Sequence, residues 1–98
     1  MSVEYLGIQA KMAALARTFP SVADAPGVPL WDAKTFDHWA AETPVSHGEL
    51  RTAQFLLAVW DSQRAWRCGP FDLMESLRVW DHPHNTAFLR WVRDPWWP

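Results

Sequence analysis

Apolar residues recur at helical spacing through most of the chain. Tyr5, Ile8, Met12, Leu15 and Phe19 follow one another at steps of three and four, with alanines between them and Glu4, Gln9, Lys11 and Arg17 on the other side. The pattern predicts an amphipathic helix over residues 1–19, capped by Ser2 and stopped by Pro20. Residues 20–31 hold three prolines and a glycine in PSVADAPGVPLW. Proline fixes φ and has no N–H, so this stretch predicts an irregular connection. A link of that length leaves the first helix free to pack on its own chain or on a neighbouring copy.

Residues 32–94 predict a helical core. Asp32 is placed to cap a short helix in which Phe36, Trp39 and Ala40 share a face, and Pro44 biases Thr43 out of helical geometry. Ser46 and Glu49 have capping-box spacing, which starts a helix over Ser46–Trp60. Its Phe55–Trp60 stretch is apolar on every side, so this is expected to be the central, buried helix. A fourth helix follows Cys68-Gly69-Pro70, with Pro70 near its first turn and a core-facing stripe of Leu73, Met74, Leu77 and Trp80. A fifth begins at Asp81-His82-Pro83-His84, turns Phe88, Trp91 and Val92 inward and Arg90 and Arg93 outward, and ends before Pro95. Residues 95–98 predict an extended tail. Neighbouring side chains there point opposite ways, so one of Trp96 and Trp97 folds back over the helices while the other stays accessible.

The expected fold class is therefore all-α: a single small domain of about five helices with tryptophans in its core. Eight tryptophans in 98 residues are too many to vanish entirely into so small a core. LAVWD (57–61) and LRVWD (77–81) are near-repeats, each read as a helix end where a ring plugs the core and an acid turns the chain. The final PWWP spells the name of a chromatin-reader module. That module is a basic β-barrel, whereas this chain reads as helical and slightly acidic, so the likeness stops at four letters.

Charge narrows the partners. The net charge is −2, from nine Lys and Arg against eleven Asp and Glu, and neither half of the chain has a basic excess. This argues against sequence-independent binding to nucleic acid. One cysteine forms no internal disulfide, and the start of the chain lacks the pattern of an export signal. The longest apolar run, Phe55–Trp60, falls far short of the ~20 residues of a membrane span. A cytoplasmic chain with no membrane partner is expected.

The candidate chemistry is sparse. His82 and His84 flank Pro83 after Asp81, but their spacing does not suit a pair of metal ligands on one helix, and His47 and Cys68 have no matching arrangement. Solvated histidines at a helix start are expected, with no metal or cofactor. Cys68, Ser46 and Ser62 are possible nucleophiles without a surrounding signature, and Asp72 and Glu75 suit the first turn of a helix. No catalytic residue is assigned. Arg64, Trp66 and Arg67 mix cations with an aromatic ring, a composition common at binding hot spots.

The functional expectation is a non-enzymatic interaction protein or accessory factor. Its partner is another protein or a second copy, met through Arg64, Trp66, Arg67, Trp96 and Trp97. Two alternatives come from other classes. One is a helix-turn-helix DNA-binding module using Arg78, Arg90 and Arg93. The other is a small-molecule site with aromatic walls and polar groups such as His47, Asp61 or His82.

Overall fold

The computed structural model describes the backbone from Val3 to Pro98 and the side chains from Gly7 onward. The proposed cap Ser2, and the side chains of Glu4 and Tyr5, lie outside the described residues.

Local signals set the helix ends. Helix α1 spans Val3–Arg17. Asp32 opens α2 (Ala33–Glu42) by accepting the Thr35 N–H at 3.2 Å. Ser46 and Glu49 form the reciprocal capping box at the start of α3 (His47–Trp60), with bonds of 3.1 and 2.9 Å. Asp72 caps α4 (Leu73–Val79), so this helix starts later than Pro70 implied. Asp81 caps α5 (His82–Arg93), with Pro83 in its first turn. The described residues are all-helical, without strands, and no helix among them is long and apolar enough to cross a membrane.

The proline-rich stretch is more ordered than the sequence suggested. A short 3-10 turn covers Pro20–Val22, and successive three-residue turns follow it. Val22, Ala25 and Val28 donate N–H bonds to the carbonyls of Phe19, Val22 and Ala25 at 3.0–3.1 Å. In such turns residues three apart eclipse one another. Phe19, Val22, Ala25, Val28 and Trp31 consequently share one side, and all are buried. Gly27 makes the last bend possible. Its φ is +87°, and a Cβ there would lie 2.6 Å from the Asp32 carbonyl oxygen and 2.8 Å from the Phe36 nitrogen.

This ladder holds α1 on its own chain, and α1 also packs against α3. Gln9 donates to the Trp31 carbonyl at 3.1 Å and Arg17 to that of Pro29 at 3.1 Å. The buried side of α1 is Met12, Ala13 and Ala16, while Ile8 and Leu15 sit at its half-exposed edge. Alanines lack bulk, so they allow α1 a close approach.

Helix α3 is central, as expected, with Leu56 and Leu57 wholly buried. Phe55 is the hub of an aromatic cluster. The rings of Phe19, Phe71, Phe88 and Trp91 lie 5.2–5.6 Å from it, and Trp80 lies 6.3 Å away. Edge-on and tilted geometries dominate, as ring quadrupoles prefer. The Trp80 indole donates to the buried Thr52 hydroxyl at 2.9 Å. Trp31 meets Phe36 and Trp60 in a second group, at 5.5 and 5.9 Å.

Two expected inward stripes are corrected. On α4, Ser76 is buried, whereas Leu73, Met74 and Leu77 are exposed. Trp80, at the C-cap, is the stripe residue that reaches the core. Ser76 and Trp80, with a cap at each end, hold this seven-residue helix, which leaves its other apolar side chains open. On α5, Phe88 and Trp91 are half-buried, but Val92 is exposed together with Leu89.

Candidate functional site

The arginine- and tryptophan-bearing loop after α3 is built around a buried acid. The carboxylate of Asp37 in α2 accepts the backbone N–H of Arg67 on one oxygen and that of Cys68 on the other, both at 3.0 Å. Gln54 of α3 donates to the Cys68 carbonyl at 2.7 Å. Residues from two helices therefore hold the backbone of this loop at Arg67 and Cys68. Burial, and then the Asp37 carboxylate beside it, push the Cys68 thiol up to about 12. Cys68 is a shielded thiol and a poor nucleophile at neutral pH.

The five residues proposed for partner contact each have contacts within the chain. Arg64 lies over the Trp66 ring, 4.5 Å from its centroid, and the Trp66 indole donates to the Asp61 carbonyl at 3.0 Å. Arg67 forms an ion pair with Glu42 and a 3.1 Å contact with His38 Nδ1. In the tail, Trp96 folds back under the Lys11 ammonium, 4.4 Å from its ring centroid, and its carbonyl accepts the Trp91 indole N–H at 3.2 Å. Trp97 is 63% exposed and meets Trp91 edge-on at 5.4 Å. Of the five, Trp97 combines a large ring with wide exposure.

Open apolar surface lies elsewhere. Among the described residues, every exposed large apolar side chain except Leu30 falls between Leu73 and Trp97. Leu73, Met74 and Leu77 stand at helical spacing on α4, with Met74 64% exposed. Leu89 and Val92 lie on the flank of α5 that carries Phe88, whose ring is 5.4 Å from Trp80 at the end of α4. Glu75 and Arg78, beside the α4 ridge, pair at 3.7 Å. Sequence periodicity found this ridge but assigned it to the core.

The histidines are also placed differently from expectation. His84 is buried rather than solvated. Its Nδ1 lies 2.6 Å from Asp81 Oδ1, and its Nε2 lies 2.7 Å from the Ser21 hydroxyl. The hydrogen bond from His84 holds the Asp81 carboxyl below the usual carboxylate range. His82 points elsewhere, to an exposed 3.5 Å contact with Thr86. Sequence reasoning weighed Ser46 and Ser62 as nucleophiles and passed over Ser21. The i, i+3 pairing of Asp81 with His84 was readable at a helix start, but Ser21 lies 63 residues from His84 and only the fold unites them.

A cleft of about 320 Å³ between Gln54, Asp61, Arg64, Trp66 and Phe71 is the feature nearest to the aromatic small-molecule site considered above. It brings Asp61 to aromatic walls, but His47 and His82 do not line it. The chain matches no protein-family model, no curated protein and no solved structure.

Proposed function

We propose that the chain is a protein–protein interaction module that presents the α4 ridge, and that the first partner of this ridge is a second copy. The observation that carries the reading is the apolar face of Leu73, Met74 and Leu77, left open by a helix whose anchor faces the other way. Clustered exposed apolar side chains mark contact sites on proteins. Charge favours the second copy. Glu75 and Arg78 flank the ridge one turn apart, so two α4 helices crossing antiparallel about a twofold axis bring each Glu75 to the other's Arg78. The exposed Trp97 and the Leu89 and Val92 flank extend the apolar area on the same half of the chain. A cytoplasmic setting agrees with a single, shielded thiol.

Sedimentation equilibrium tests the reading. Association that rises with concentration is expected, with loss on Met74→Asp. Glu75→Arg should weaken it, and Glu75→Arg with Arg78→Glu should restore it. A monomer at all concentrations overturns the second-copy assignment, as does association that none of these substitutions affects.

A further inference from the structure

We propose that Ser21, His84 and Asp81 form a nucleophile–base–acid relay that makes Ser21 an acylation site for small carboxylic esters. This chemistry is separate from the α4 contact face and uses none of its residues. The relay is drawn by two short hydrogen bonds, 2.7 Å from the Ser21 hydroxyl to His84 Nε2 and 2.6 Å from His84 Nδ1 to Asp81.

The tautomer follows from a third contact. The backbone N–H of Ser21 also points at His84 Nε2, at 3.3 Å. An N–H can only donate, so Nε2 is the accepting nitrogen and the ring proton sits on Nδ1, where Asp81 receives it. The Ser21 hydroxyl must then donate to Nε2 as well. This is the proton arrangement that a serine nucleophile requires of its base and orienting acid.

The surroundings suit that task. The His84 side chain is 8% exposed, and the Phe19 ring stands 6.0 Å away, so the base is sheltered. Ser21 itself is exposed on the 3-10 turn. Asp81 is fixed by its capping bond to the His84 N–H at 3.1 Å. A cleft of about 290 Å³ is lined by Thr18, His82, Pro83, Thr86, Ala87 and Arg90, and the three relay residues do not line it, so Ser21 meets its substrate from open solvent. In the reaction, Ser21 Oγ forms a bond to the ester carbonyl carbon while its proton passes to Nε2. The bond from that carbon to the leaving oxygen then breaks, and the departing alcohol takes the proton from Nε2. One acyl group is transferred per chain, with no change of oxidation state.

Mixing the full chain with p-nitrophenyl acetate and mapping acetyl groups by mass spectrometry tests the assignment. Ser62 is the internal control: it is exposed, and its hydroxyl contacts Gln63 rather than a histidine. Ser21 should be acetylated on the order of 10²-fold faster than Ser62, the scale of a positioned general base. Ser21→Ala should remove the stoichiometric p-nitrophenolate release. Asp81→Asn keeps a capping oxygen for the His84 N–H but loses the carboxylate, and should slow Ser21 labelling by roughly 10²-fold or more. Equal labelling of Ser21 and Ser62 would reduce the relay to a tie between turn and helix and overturn the proposal. So would an unchanged rate in a folded Asp81→Asn variant, and the wild-type comparison still decides if that variant unfolds.

Discussion

The loop from Asp61 to Asp72 and helix α4 are neighbours in the chain and opposites in environment. The loop has the composition of a contact site, with two arginines, a tryptophan and a cysteine, yet Asp37 and Gln54 fasten its backbone from two helices. Helix α4 has the spacing of a core element, yet Leu73, Met74 and Leu77 stand open. The contrast separates two things that composition and periodicity run together. Periodicity says which side chains share a face, whereas the neighbouring elements decide whether anything covers that face. Likewise, cations and rings can be satisfied within their own chain as readily as by a partner.

Removing the fastening acid should give the largest effect. Asp37→Ala leaves two buried backbone N–H groups without an acceptor and should cost about 3 kcal/mol in urea denaturation. A loss below about 0.5 kcal/mol, within the range of ordinary surface substitutions, would mean that the loop is not held as described. The thiol sharpens the same point. Cys68 should resist iodoacetamide at pH 8 in the folded protein and react fully in urea, because burial and Asp37 both disfavour its thiolate. Rapid native alkylation would show an open loop.

Acid probes the far end of α4. The folded-state pKa of Asp81 is depressed, so its contribution to stability is complete above the usual carboxylate value near 3.8 and is lost as pH falls through the lower folded value. Acid unfolding curves of Asp81→Asn should lack that part of the slope, and a curve identical to the wild type would contradict the pairing with His84. The smallest effect belongs to the open ridge. Met74→Ser in dilute protein should change stability by no more than about 0.5 kcal/mol, since little of this side chain is buried. A loss of about 2 kcal/mol or more would place it in a core.

What the sequence revealed follows the range of the interactions. Caps act over three residues, so Asp32, Ser46 with Glu49, and Asp81 were readable, and the helix starts followed. The apolar girth of Phe55–Trp60 marked α3 as central because no helix so apolar can face water. The connection from Pro20 to Trp31 is irregular, as its prolines suggested, but its buried face was not legible, because its apolar residues repeat every third position, a period that belongs to neither α-helix nor strand. The Asp37 bonds and the Ser21–His84 contact were not legible for another reason. Each is defined by a partner about 30 or more residues away, which local pattern does not encode.

Amide hydrogen exchange, followed at low and high protein concentration, tests the contrast most directly. The account predicts that α3 amides exchange with the free energy of global unfolding at every concentration. Those of α4 should open far more easily in dilute protein and gain protection as concentration rises. Protection of α4 equal to that of α3 in dilute solution would contradict it.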